Sequence, residues 1–259
     1  MLPKILKPYH INKSNLIRIG PEKDGGYIVD KRILNKSKVV ITLGLNDDWD
    51  FEKDYLNKSS NSRIIAYDHT VNEHFWKTRF KNDLISFLLF KKIKFNQIID
   101  IFKYFSYLTF FRGKNEHLIK KVVPKKKKIN QVTVNEALKD FQNTLLKIDI
   151  EGDEYGVLDQ INKNSKKINL LIIEFHDVNK NIKKIKKFLK KSNLKIIHIH
   201  ANNYGGIDKN GLPKVLEISL LNKKKFKISK NKSNYSYPIG GLDYSNLKRR
   251  EDIKLIFNE

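Results

Sequence analysis

Short apolar runs rich in Val, Ile and Leu alternate with helical patterns along this chain, and that alternation constrains its fold more than any other feature. "KVVITLGL" (38–45) reads as a strand, and "DDWDFEKDYLNK" (47–58) as a helix with acids in its first turn, where the helix dipole favours them. "RIIAYDHT" (63–70) is a second strand. Further on come a strand at 145–150, a helix at 153–162, a strand at 169–176, a helix at 180–191, and strands at 194–200 and 214–221. Strands separated by helices of this length imply βαβ units, hence an α/β fold with a mainly parallel sheet covered by helices on both faces. A strand is also expected at "HLIKKVV" (117–123). The 259 residues suffice for one sizeable core. With no repeat and no linker rich in Gly, Pro or Ser, the chain reads as one domain, 1–259, with a helical insertion at 81–116 and a C-terminal extension at 222–259.

Right-handed crossovers place the C-terminal ends of parallel strands along one edge of the sheet, which is where open α/β sheets bind ligands. That edge collects Gly44, Asn46, Asp47 and Asp48 after the first strand, and Asp68 and His69 after the second. The later strands add Asp149 and Glu151, Glu174 and His176, then His198, His200, Asn202 and Asn203. Strand alternation sets Asp149 with Glu151 on one face, and likewise Glu174 with His176 and His198 with His200. Three strands that all end in carboxylate or imidazole point to a site rather than to solvated ends.

The first loop has only Gly44 where a dinucleotide fold shows G-x-G-x-x-G, and it then runs through Asp47, Asp48, Asp50 and Glu52. Pyrophosphate would be repelled by those acids. S-adenosylmethionine fits better, because it carries no phosphate and its sulfonium and ammonium groups are cationic. Gly44, Asn46, Asp48, Asp68, His69 and Asp149 are its expected contacts, with Asp68 placed to accept the ribose hydroxyls.

The formal net charge of +24 invites nucleic acid or anionic membrane as partners. The lysines are diffuse, however, and in "NKNIKKIKKFLKKSN" (179–193) Ile182, Ile185, Phe188 and Leu189 recur at helical spacing, which puts the lysines on a solvated face. Nucleic acid is therefore not the expected partner. The absence of cysteine removes disulfides, thiolate zinc sites and a cysteine nucleophile. The first fifteen residues lack a signal-peptide apolar core, and no apolar stretch is long enough to span a bilayer, so the default expectation is the cytoplasm. Residues 81–111, rich in Phe, Tyr and Leu, read first as a helical layer on the core or a homodimer interface, and second as a substrate cap or membrane-surface helix.

"LLKIDIEGDEYGVL" (145–158) followed by "LLIIEFH" (170–176) resembles the FkbM-like group of S-adenosylmethionine-dependent O-methyltransferases. "RIGPEKDGGYIVD" (18–30), "ITLGLNDDWDFEKDY" (41–55), "AYDHTV" (66–71), "INQVTVNEAL" (129–138) and "IHIHANN" (197–203) extend the likeness to the branch with a D-G-G-Y segment, over residues 17–221 and faintly into "GLDYSN" (241–246). The resemblance implies a Rossmann-like class I methyltransferase fold with seven strands, the last antiparallel. It also implies methyl transfer to a hydroxyl, often of a sugar in a glycan or glycolipid, and a D-G-G-Y loop (Gly26 and Tyr27) folded over the cofactor.

Removing the hydroxyl proton requires a base, for which His176 and His200 are candidates, with Asp149 or Glu151 orienting the imidazole. Asp153 and Glu154 are expected at the next helix's N-terminus, serving its dipole. A divalent metal (Mn, Fe, Zn or Mg) held by Asp149, Glu174, His176 and His200 is the other route to activation. The expected partner is a small-molecule or glycan acceptor, with peripheral membrane contact and a homodimer left open. An RNA or protein methyltransferase, or a non-catalytic basic scaffold, are the rival readings.

Overall fold

A computed structural model describes residues 1–88 and 95–258. The chain opens with an antiparallel pair, β1 (Leu16–Ile19) and β2 (Tyr27–Asp30). Next come β3 (Val39–Leu43), α1 (Asp50–Lys58), β4 (Arg63–Tyr67), the helices α2 (Glu73–Leu88) and α3 (Phe95–Phe110), and β5 (Glu116–Leu118). A two-stranded parallel ribbon, β6 (Lys121–Val122) with β7 (Gln131–Val132), leads into α4 (Val134–Ala137). Thr133 and Glu136 cap α4 reciprocally. The chain continues through β8 (Thr144–Ile148), α5 (Glu154–Lys163), β9 (Ile168–Phe175), α6 (Val178–Lys191), β10 (Leu194–Ala201) and β11 (Leu216–Asn222).

Seven of these strands form one sheet in the order β10-β11-β9-β8-β3-β4-β5. β11 runs antiparallel to both of its neighbours, and the remaining pairings are parallel. This is the Rossmann-like methyltransferase arrangement implied by the resemblance. All eight residues of β9 are buried, as a strand covered by helices on both faces requires. Strand order reverses between β3 and β8, so a crevice opens at their C-terminal ends.

The strand expected over 117–123 divides. Glu116–Leu118 pairs with β4 at the sheet edge, the Lys120 amide turns back onto the Leu118 carbonyl (2.8 Å), and Lys121–Val122 leaves to pair with β7. The aromatic segment builds a second core: Trp49, Trp76, Leu45, Ala66 and Val71 pack with Tyr104, Tyr107, Phe110 and Phe111. Trp49 meets Trp76 edge-on with ring centroids 5.9 Å apart. The helical-layer reading thus describes the buried side of α2 and α3, while Phe102, Phe105 and Leu108 remain exposed. Residues 89–94 of the expected insertion lie outside the described residues.

In α6, Val178, Ile185, Phe188 and Leu189 are buried, Ile182 packs against them, and Lys183, Lys184, Lys187 and Lys190 are exposed. No helix among the described residues is long and apolar enough to cross a membrane. The extension after β11 is tied to the sheet edge, with Asp243 on His198 (3.1 Å) and Asp252 on His200 (3.0 Å).

Candidate active site

Two adjoining cavities, of about 490 and 610 Å³, meet at the C-terminal ends of β3 and β8 and share Gly44, Asn46, Asp149 and Glu151. They form one cleft. One lobe is lined by Tyr67, Asp68, His69, Thr70 and Lys121, and the other by Asp24, Tyr27, Asp48, Lys147, Glu174, His176, Asn202, Tyr204 and Asn246.

Gly44 is where the first loop passes closest to β8. Its φ is +84°, and a Cβ there would lie 1.6 Å from the Asp149 carbonyl oxygen. No other residue fits. The loop is then held from β4: Asp68 Oδ2 accepts the amides of Leu45 (2.9 Å) and Asn46 (2.8 Å), while Oδ1 accepts the Thr70 amide (2.7 Å) and hydroxyl (2.6 Å). Burial raises the Asp68 pKa, but these four donors outweigh it and hold the group below the usual carboxylate range. The residue expected to receive ribose thus lines the cleft and at the same time fastens its floor. Asp48 Oδ1 accepts the Asp50 amide (2.8 Å) at the start of α1, and His69 stands exposed on the rim.

Asp149 follows β8, and its carboxylate has no hydrogen-bond partner; Oδ1 is buried as well. Burial pushes its pKa up to about 6, against the pull of Lys147 and His176. Lys147, on β8, is itself buried beside Glu52 (3.3 Å), which also accepts the Thr42 hydroxyl (2.7 Å). Glu174, near the end of β9, is buried. Desolvation first, then the neighbouring charges of Asp149, Glu217 and Asp24, lift its pKa well above the usual range.

His176 sits just past β9 and turns toward Asp149 and Glu151. Its Nδ1 is 3.0 Å from Glu154 Oε1, and its Nε2 lies 3.4 Å from Glu151 Oε2 and 3.7 Å from Glu174 Oε1. Burial would lower the imidazole pKa, but the Glu154 hydrogen bond and the charges of Glu154, Asp149 and Glu151 raise it above the ordinary value. The orienting carboxylate is therefore Glu154, which sequence reasoning assigned to the helix dipole. Glu154 does begin α5, yet its fully buried side chain folds back to accept the Gly152 amide (2.9 Å) and the Ile150 amide (3.3 Å) as well. Asp153 stays outside and pairs with Lys121 at 3.3 Å.

The structure does not bring His200 to this cleft, which corrects its inclusion among the bases and metal ligands. Its Nδ1 faces Glu217 (3.2 Å) and its Nε2 faces Asp252 (3.0 Å), so both ring nitrogens are occupied. Burial opposes protonation there, but the two carboxylates prevail and the pKa rises to about 10. Such an imidazole is a structural cation. Among the described residues the group spaced for a metal is Asp149, Glu151 and His176, with ligand atoms within 4.8 Å of one another.

The D-G-G-Y segment closes the far side. Asp24 Oδ1 accepts from Asn202 (3.2 Å) and Asn246 (2.8 Å), and both amides also reach Glu217 Oε1, at 3.4 and 2.6 Å. Tyr27 is buried on β2 with its hydroxyl 3.5 Å from Glu174 Oε2. Gly26 lines neither lobe; a Cβ there would meet the Pro21 carbonyl oxygen at 2.1 Å, so its role is steric. Asn246, from "GLDYSN", and Lys147, from the middle of an apolar strand, are cleft residues that strand-end reasoning did not find.

The cleft fits a cationic ligand better than a phosphate. Asp48, Asp149, Glu151 and Glu174 face it alongside Lys147 and His176, and the Asp149 carboxylate has no hydrogen-bond partner.

A family model described as the methyltransferase FkbM domain matches residues 12–197. Comparison with curated protein sequences gives no significant match. Among solved structures, the Methanococcus jannaschii fibrillarin pre-rRNA processing protein is 7% identical, with a TM-score of 0.40 over 73% of this chain and 67% of that one. The precorrin-6y C5,15-methyltransferase of Geobacter metallireducens GS-15 is 11% identical, with a TM-score of 0.38 over 73% and 86%. An S-adenosylmethionine-dependent methyltransferase of Clostridium acetobutylicum ATCC 824 is 8% identical, with a TM-score of 0.39 over 74% and 92%.

Proposed function

The chain belongs to the FkbM methyltransferase family, and from that premise we propose that this S-adenosylmethionine-dependent enzyme methylates a hydroxyl of a sugar, carried on a nucleotide, a glycan or a glycolipid. The observation that carries the reading is the meeting of Asp149, Glu174 and His176 at the ends of β8 and β9, beside the Gly44 turn.

When bound, S-adenosylmethionine supplies a methyl carbon on a cationic sulfur and leaves as a neutral thioether. Asp48 complements its positive groups, and Asp68 fixes the loop that the adenosine end would meet. In-line transfer depends on holding donor and acceptor in register, so rigid strand-end residues suit the task. A sugar oxygen must shed its proton as the O–CH3 bond forms, and His176 and Glu174 are the cleft groups able to receive it. The outer wall favours a carbohydrate: Tyr204, 56% exposed, offers an aromatic face next to the carboxylate of Asp24 and the amides of Asn202 and Asn246.

Incubation with methyl-labelled S-adenosylmethionine and a panel of nucleotide sugars, oligosaccharides, RNA and protein tests the reading. Label appearing as an alkali-stable methyl ether on a saccharide is the expected result. Label on RNA or protein alone would replace it.

A further inference from the structure

We infer that Asp149, Glu151 and His176 form a divalent-cation site where the two lobes of the cleft meet, on the side lined by Tyr27, Glu174 and Tyr204 that would receive the acceptor. The inference rests on the O-methyltransferase reading and specifies how that site activates its hydroxyl.

His176 is held from behind by a carboxylate. Its Nδ1 is committed to the Glu154 carboxylate at 3.0 Å, and Glu154 is in turn fixed by two backbone amides. That arrangement places the ring proton on Nδ1 and leaves the Nε2 lone pair facing the cleft, the way a metal-binding histidine is held by a carboxylate behind it. The Nε2 lone pair then confronts carboxylate oxygens of Glu151 at 3.4 Å and Glu174 at 3.7 Å. Carboxylates gathered this closely around Nε2 call for positive charge among them, which either a proton on Nε2 or a bound cation supplies.

A second, independent feature points to the same spot. The Asp149 carboxylate has no hydrogen-bond partner on either oxygen and its Oδ1 is buried, whereas the buried acids nearby, Glu52, Glu154, Glu174 and Glu217, each hold at least one hydrogen bond, although Glu52 and Glu154 also keep one buried oxygen without a partner. A buried, unpartnered carboxylate is costly unless a ligand completes it.

Spacing and donor type set the chemistry of that ligand. The three candidate atoms lie within 4.8 Å of one another. Ligands about 2.0–2.2 Å from a first-row ion stand roughly 3–4.4 Å apart. A small rotation of the Glu151 side chain, which is 79% exposed, closes the difference. Two carboxylates and one imidazole suit Mn²⁺, Fe²⁺ or Zn²⁺ more than Mg²⁺ or Ca²⁺. Three protein ligands leave positions open toward the lobe, where the acceptor oxygen coordinates and its proton becomes easier to remove. With His176 engaged as a ligand, Glu174 is the remaining carboxylate beside that oxygen and receives the proton.

The test uses the full chain, stripped with chelator and titrated with Mn²⁺ while free Mn²⁺ is followed by electron paramagnetic resonance. One saturable site is expected, weakened at least tenfold by Glu151→Gln, an exposed and structurally tolerant change, and by His176→Ala. Glu73→Gln, at an exposed acid on α2, should leave it unchanged. S-adenosylmethionine binding is measured by calorimetry on the same stripped protein. Donor binding without saturable Mn²⁺ binding up to millimolar concentration overturns the cation site and leaves the methyltransferase reading standing. Competition between donor and Mn²⁺ for one site also overturns it, because the acids would then belong to the donor's ammonium group. Failure to bind the donor, with or without Mn²⁺, overturns the methyltransferase reading itself.

Discussion

Glu154 and His176, 22 residues apart, are joined by a 3.0 Å contact in which the wholly buried member is the carboxylate and the partly exposed member, at 20% side-chain exposure, is the imidazole. The acid is locked by the Ile150 and Gly152 amides, so it positions the ring rather than following it. Glu154→Gln keeps the shape and loses the charge. The expected outcome is a fall in kcat of about 10- to 100-fold with S-adenosylmethionine affinity little changed, read from steady-state kinetics beside calorimetry. An equal loss of both would mean that Glu154 merely supports the fold.

Asp68 accepts four protein hydrogen bonds with its two oxygens. In Asp68→Asn, one of those oxygens becomes an NH2 group pointed at other donors. A loss of about 1–3 kcal/mol in unfolding free energy is expected, measured by urea denaturation, together with weaker donor binding as the 44–46 turn loosens. Donor affinity unchanged in a destabilised variant would separate loop anchoring from the cofactor lobe.

Lys147 and Glu52 are buried together, at 7% and 0% side-chain exposure. Burial works against the lysine's charge, but Glu52 and Asp149 outweigh it and raise its pKa. Lys147→Ala strands Glu52 and should cost about 3–5 kcal/mol, whereas the double change Lys147→Met with Glu52→Leu should recover most of it. Chemical denaturation of the three proteins decides this; a Lys147→Ala variant of unaltered stability would contradict the pairing.

His200 makes stability depend on pH in a defined direction. Its folded pKa of about 10 lies above the ordinary 6.5, because Glu217 and Asp252 favour the cation despite burial. Its contribution is therefore complete below pH 6.5 and is lost as pH rises toward 10. Melting temperatures of the native protein and His200→Gln should differ most at pH 6 and converge toward pH 10. A gap that widened with pH would refute the assignment.

Much of the fold was legible because burial on both faces writes continuous apolar runs, as in Ile168–Phe175, and helices between them force parallel pairing. Those same runs mark where strands end, which brought Gly44, Asp68, Asp149, Glu174 and His176 to one edge. What stayed hidden depended on partners remote in sequence. His198 and His200 have the same strand-end signature as His176, yet Asp243 and Asp252, 45 and 52 residues away, turn them into clamps. Glu154 illustrates the opposite case: an acid in a first helical turn ordinarily serves the dipole, and only the reversal of its side chain toward residues 150, 152 and 176 reveals the other task. The third strand was misjudged in length because "HLIKKVV" serves two separate sheets.

β11 slots between β9 and β10, and Asn246 and Asp252 arrive later still. Chains emerge and fold from the N-terminus first, so a nascent polypeptide on the ribosome owns Gly44, Asp149 and His176 well before it owns the back of their chamber. The catalyst stays unfinished throughout most of its own translation. A product broken off before Asn246 lacks the amide that ties Asp24 to Glu217 across the back of the cleft.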